Sequence, residues 1–153
     1  MPDRKVKILM VCLGNICRSP LAQGILESKL DPTKYEVQSA GTGDFHIGKQ
    51  PDPRSIAVAR KNGLDITKQK AAQFKTSDFD YYNYIFAMDS SNYENIIALA
   101  RNDSDKNKVK LILNEISDNT DAEVPDPYYG GTSGFNHVYE LLDNACDRIA
   151  ERI

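Results

Sequence analysis

Residues 5–30 read KVKILMVCLGNICRSPLAQGILESKL, and the turn in the middle of this stretch decides the fold. Residues 5–13 are a short apolar run rich in Val, Ile and Leu, the pattern of a buried strand. Residues 19–30 open on Ser-Pro, a good helix start, and place Leu21, Ile25 and Leu26 on one stripe. Between strand and helix lies a tight loop that holds Cys12, Gly14, Asn15 and Arg18.

The same alternation continues outward. YEVQSAG (35–41) alternates and stops at Gly, which predicts a second strand, and PRSIAVARKNG (53–63) begins at Pro and ends at Asn-Gly, as a helix does. YIFAMD (84–89) predicts a third strand, SSNYENIIALAR (90–101) a serine-capped helix with Ile97 and Ala100 at helical spacing, and VKLILNEI (109–116) a fourth strand. In the closing segment, 135–153, Phe135, Val138, Leu142, Ala145, Ile149 and Ile153 share one face of an amphipathic helix. Strands that alternate with helices imply crossover connections and a mainly parallel sheet covered on both faces, an α/β fold. Ligands of such sheets bind beyond the carboxyl ends of the strands, where Cys12 sits.

The 153 residues suit one domain, 1–153, able to bury its own core. A net charge of -3, spread along the chain, carries no nucleic-acid footprint. No apolar run approaches the roughly 20 residues of a membrane span, and the N-terminal MPDRKVKIL lacks a signal-peptide stretch. A cytoplasmic protein is expected. Three cysteines, an odd number, argue against a disulfide framework, and His46 and His137 stand too far apart to suggest zinc. Neither histidine is assigned any chemistry, and Cys146, among apolar helix positions, reads as core.

Cys12 and Arg18 are spaced C-x5-R, which three cysteines and seven arginines would produce by chance with an expectation of roughly 0.14. The context adds the weight. A loop leading from a strand into a helix N-terminus turns backbone N–H groups and the positive end of the helix dipole toward an anion. Gly14 and Asn15 are the residue types most willing to take positive φ, as such a nest requires. A field that holds a dianion also favours a thiolate, the form in which Cys12 would attack phosphorus. The fork of Arg18 can grip two phosphate oxygens at once. Ser19 can donate a hydrogen bond to the thiolate and can cap the helix.

VCLGNICRSPLAQGIL resembles the low-molecular-weight protein tyrosine phosphatases, and PDPR (51–54), FAMD (86–89) and DPYYG (126–130) are similar to further landmarks of that family, in the same order across nearly the whole chain. The resemblance implies a three-layer domain with a central four-stranded parallel sheet and a phosphate-binding loop after the first strand. It implies a two-step reaction through a cysteinyl-phosphate, with no metal or organic cofactor. Cys12, Arg18 and Asp126 would be catalytic, and Leu13, Gly14, Asn15, Ile16, Cys17, Ser19, Phe45, Tyr128 and Tyr129 would bind phosphate or substrate.

A phenolate leaving group has a conjugate pKa near ~10, so its departure benefits from an acid, and Asp126 stands in a loop stiffened by Pro125 and Pro127. Tyr128 and Tyr129 would flank the pocket mouth, and Phe45 falls where many relatives carry a bulky aromatic, often Trp. Cys17 is either a filler under the loop or a resolving thiol that traps oxidised Cys12, and the resemblance favours the second. Asp89 either helps hold the phosphate loop or caps the helix that follows it. Relatives often brace the loop with a His and an Arg in an HKAR-like stretch; here the positions are Gln69 and Ala72, so Asn15 would need another partner.

Expected partners are phosphotyrosine-containing proteins or small aryl phosphates, with inorganic phosphate or other oxyanions in the loop, and a monomer is expected. Two other readings compete. A thiol-dependent arsenate reductase shares the scaffold but needs a further cysteine pair, which residues 78–89 lack. A catalytically silent phosphate-binding or redox-sensing module would not need the nucleophile, the arginine and the acid together.

Overall fold

In the computed structural model, which describes residues 5–117, 120–127 and 132–153, the opening apolar run becomes strand β1 (Val6–Cys12). It lies at the middle of a four-stranded sheet with β2 (Tyr35–Gly41), β3 (Tyr84–Ala87) and β4 (Val109–Leu111), in the order β2-β1-β3-β4. All pairings are parallel, with Cys12 opposite Gly41 and Val11 opposite Ala87. The sequence-predicted α/β class is therefore the observed one.

Alternation along β1 divides the core. Ile8, Met10 and Cys12 face one apolar cluster, and Leu9 and Val11 face the other. The first cluster is filled by α1 (Arg18–Lys29), α2 (Pro53–Lys61) and α6 (Thr132–Arg152), and the second by Phe79, Ile96 and their neighbours. On α6 the expected face is present, with Phe135, Val138, Leu142, Ala145 and Ile149 buried. Helix α1 is buried from Arg18 to Leu26, more than its single stripe predicts, because it is enclosed by the sheet on one side and by α6 and α2 on the others. Among the described residues no helix is long and apolar enough to cross a membrane.

Several boundaries differ from the sequence-based ones. The predicted fourth strand stops at Leu111, and residues 112–115 turn into a 3-10 helix that buries Ile112 and Leu113 in the first cluster. The helix expected over 90–101 is α4 (Ser90–Ile97), and its innermost residue is Ile96, with Ile97 and Ala100 only half-buried. Two short helices, α3 (Asp78–Tyr81) and α5 (Asp103–Asn107), hold too few residues to show a period.

Gly41 ends β2 directly behind the loop after β1. A Cβ there would lie 2.7 Å from Leu13 O and 3.1 Å from Asn15 N, both backbone atoms that cannot swing aside. Gly41→Ala is therefore expected to destabilise the fold by about 1–3 kcal/mol, read by denaturant unfolding, and to weaken phosphate binding. Wild-type stability in this variant would contradict the close contact.

Candidate active site

The loop between β1 and α1 owes its shape to what surrounds it. Thr42 N–H donates to Cys12 O at 2.9 Å, Gly43 N–H to Leu13 O at 2.9 Å, Asp52 N–H to Ile16 O at 2.8 Å, and Ser55 Oγ to Cys17 O at 3.2 Å. Four loop carbonyls are thus drawn outward. In a trans peptide the next N–H points the opposite way, so those of Leu13, Gly14, Cys17 and Arg18 turn inward, as an anion nest requires.

Asn15 takes φ +57°, the left-handed conformation anticipated for it. Its side chain locks the turn: Ala72 N–H donates to Asn15 Oδ1 at 3.0 Å, and Asn15 Nδ2 donates to Ser19 Oγ at 2.8 Å. The backbone of Ala72 thus makes a brace that its side chain cannot make, while Gln69 Nε2 donates to Pro20 O at 3.1 Å at the start of α1. Gly14, by contrast, is not left-handed. A Cβ there would stand 3.0 Å from Cδ2 of the half-buried His46 ring, which would have to give by a few tenths of an ångström.

Cys12 Sγ lies 3.0 Å from Ser19 Oγ and accepts from Asn15 N–H at 3.3 Å. Ser19 Oγ accepts from Asn15, and its single proton has two acceptors in reach, the sulfur at 3.0 Å and Ala40 O at 3.5 Å, the sulfur being the nearer. Ser19 does not cap α1 as expected; the cap position is Cys17, with no side-chain hydrogen bond, so the helix N-terminus is left to the loop.

Arg18 is 2% exposed. Its Nη1 donates to Asp89 Oδ2 at 2.7 Å and to Val124 O at 2.9 Å, and Nη2 lies 3.8 Å from Asp126 Oδ2. With both Nη1 hydrogens taken, Nε–H and Nη2–H remain as a pair able to fork onto two phosphate oxygens. Burial works against the charge, but Cys12, Asp89 and Asp126 outweigh it and hold the guanidinium more firmly protonated than usual. Asp89 reaches the loop through the Arg18 side chain and not through a serine or the backbone, and its other oxygen accepts from Asn92 N–H at 2.8 Å and caps α4, the second role weighed for it.

These groups open on a cleft of about 380 Å³ whose lining includes Cys12, Arg18 and Asp126 together with Leu13, Gly14, Ile16 and Cys17. Phe45 and His46 complete its wall, Phe45 two-thirds exposed and set edge-on to His46 at 6.4 Å between ring centres. The expected place of Phe45 is thus observed, and His46 is a lining residue that sequence reasoning missed. Its adjacency to Phe45 was the available signal. Tyr128 and Tyr129 lie outside the described residues.

Beneath the loop, Asp52 caps α2 and is gripped by Arg54, whose Nε and Nη2 both donate at 3.0 Å. The Arg54 guanidinium in turn stacks over Phe135 at 4.6 Å. Burial of Asp52 is outweighed by these bonds, which hold its carboxyl below the usual range.

Residues 7–153 match the family described as low molecular weight phosphotyrosine protein phosphatase. A protein of that name from Schizosaccharomyces pombe is 42% identical over 146 residues, 92% of each chain. The crystal structure of protein tyrosine phosphatase from Entamoeba histolytica with Hepes in the active site superposes with a TM-score of 0.90 at 36% identity, covering 97% of this chain and 96% of that one. Vibrio vulnificus Wzb in complex with benzylphosphonate gives a TM-score of 0.87 at 31% identity, covering 98% and 100%. The chain belongs to the low molecular weight phosphotyrosine protein phosphatase family, enzymes that hydrolyse phosphotyrosine monoesters.

Cys17 lines the same cleft as Cys12. Burial, then the negative charge of Asp52 and neighbouring groups, pushes its thiol up to about 12. Between the ordinary thiol range and that value the unfolded chain ionises Cys17 while the folded chain does not, so this residue's contribution to stability declines as pH rises through the interval. Near neutral pH, iodoacetamide is expected to modify Cys12, with inorganic phosphate protecting it, ahead of Cys17, whose thiol stays protonated in the folded chain; peptide mapping reads the outcome. Equal modification of the two would contradict the assignment.

Proposed function

We propose that Cys12 is the nucleophile, Arg18 the phosphate clamp and Asp126 the general acid and base of a two-step phosphatase. In the first step the Cys12 thiolate attacks phosphorus, the bond from phosphorus to the aryl oxygen breaks, and the Asp126 carboxyl gives its proton to the departing phenolate. In the second, water attacks the phosphorus of the cysteinyl-phosphate, Asp126 takes the water proton, and the P–S bond breaks to return the thiolate and release inorganic phosphate. Inward N–H groups and the Arg18 fork stabilise the equatorial oxygens throughout.

The observation that carries this reading is the meeting of sulfur, inward-turned amides, buried guanidinium and carboxyl in one cleft, with Asp126 within 3.8 Å of Arg18. Leu13, Ile16 and Phe45 give that cleft an apolar wall for an aryl ring, and Gly14, Asn15, Cys17 and Ser19 shape its floor. Protein phosphotyrosine, rather than an aliphatic phosphoester, is the class this wall suits. The benzylphosphonate in complex with the Vibrio neighbour, a phenyl ring joined through a methylene to a phosphorus oxyanion, is in keeping with it. The proposal takes residues 1–153 as one phosphatase domain, active as a monomer in the cytoplasm, where its three unpaired cysteines would stay reduced.

Cys12→Ser is expected to lose turnover of para-nitrophenyl phosphate to background, assayed without added metal. Asp126→Asn is expected to lower kcat/KM for phenyl phosphate by about 10²-fold or more and to act far less on 2,4-dinitrophenyl phosphate, whose leaving group needs no proton. Retained activity in Cys12→Ser would overturn the mechanism.

A further inference from the structure

The segment that bears Asp126 is tied to the rest of the fold at points that neither the loop motif nor the reaction calls for. Glu123 Oε2 accepts from Ser90 N–H at 2.7 Å, the first amide of α4 and one of the donors a helix N-terminus leaves unpaired. One residue on, Val124 N–H donates to Met88 O at 2.9 Å while Val124 O accepts from Arg18. Upstream, Asp121 sits at φ +52°, a conformation that costs a residue with a Cβ. It is held there by Asn114: Asp121 N–H donates to Asn114 Oδ1 at 2.9 Å, and Asn114 Nδ2 donates to Asp121 Oδ1 at 3.1 Å.

We infer that Glu123, with the Asn114–Asp121 clasp behind it, is a positioning residue that sets the reach of Asp126 over Cys12. The inference rests on Asp126 being the general acid. Val124 is fixed by its bonds to Met88 O and to the Arg18 guanidinium and by its buried side chain, but a single pinned residue can still pivot. Glu123 supplies the second anchor, on the α4 end that Asp89 also caps, so the acid-bearing segment and the Arg18 clamp share one support. Neither Glu123 nor Asn114 lines the cleft, so their effect on the reaction passes through the groups they support, and phosphate inhibition separates an effect on Arg18 from one on Asp126.

The test compares kcat/KM for phenyl phosphate with that for 2,4-dinitrophenyl phosphate, because this parameter reads through the first irreversible step, cleavage of the P–O bond. For Glu123→Ala the preference for the dinitrophenyl ester is expected to rise about tenfold, short of the ~10²-fold that a displaced catalytic group can cost. Inhibition by inorganic phosphate is expected to stay within about twofold of wild type. Glu123→Gln, which keeps an oxygen for Ser90 N–H, is expected to restore most of the wild-type ratio. Asn114→Ala should move the ratio in the same direction and keeps the inference testable if Glu123→Ala does not fold. Asp126→Asn serves as the reference. If Asp126→Asn shifts the ratio and neither Glu123→Ala nor Asn114→Ala does, the positioning role is wrong while the acid assignment stands. If Asp126→Asn leaves the ratio unchanged, the acid assignment fails and takes the inference with it. Equal losses on both esters with weakened phosphate inhibition would mark a general collapse of the site and would also overturn the positioning role.

Discussion

The guanidinium of Arg18 joins three stretches of chain that are distant in sequence: the loop that carries it, the start of α4 at Asp89, and the segment of Val124 and Asp126. Removing such a cation from water costs several kcal/mol, and only a full set of partners offsets that cost. Asp89 supplies the charge and Val124 a carbonyl, so the fork is fixed in place before any ligand arrives. A ligand dianion then meets a rigid donor pair instead of a flexible side chain, and less binding free energy is lost to ordering.

The loop around this cation is shaped from outside more than from within. Its carbonyls are drawn away by Thr42, Gly43, Asp52 and Ser55, and its one left-handed residue is held by the backbone of Ala72. Gly41 is small because the loop backbone needs the room, whereas a Cβ on Gly14 would press only on the His46 ring. The anion nest is a product of the whole β1, β2 and α2 arrangement, which explains how a chain without the expected His and Arg at Gln69 and Ala72 still closes the turn.

Much of this was legible in the residues themselves. β2 falls on 35–41 as read, and α6 shows its face because 21 residues repeat the helical period several times. α3 and α5, of four and five residues, offer no repeat, and the apolar run after Val109 looks the same whether extended or wound into a 3-10 turn. In the site, Cys12, Arg18 and Asp126 were found by type, spacing and resemblance. What escaped was geometry between remote positions: the contact of Arg18 with Asp89 spans 71 residues, and the support of Asn15 comes from a backbone amide that no side-chain pattern reveals. His46 was passed over because a lone histidine in a turn carries no periodic signal.

If Cys12 is the nucleophile, it carries the phosphoryl group between the two steps. Rapid acid quenching of Asp126→Asn during turnover of 2,4-dinitrophenyl phosphate, followed by peptide mass spectrometry, reads this directly. An activated ester still loads the enzyme without an acid, while hydrolysis of the intermediate is slowed by loss of the base. One phosphoryl group on Cys12, absent from the Cys12→Ser protein, is the result this account requires. A phosphoryl group on Ser19 or another residue, or turnover with Cys12 left unmodified, would contradict it.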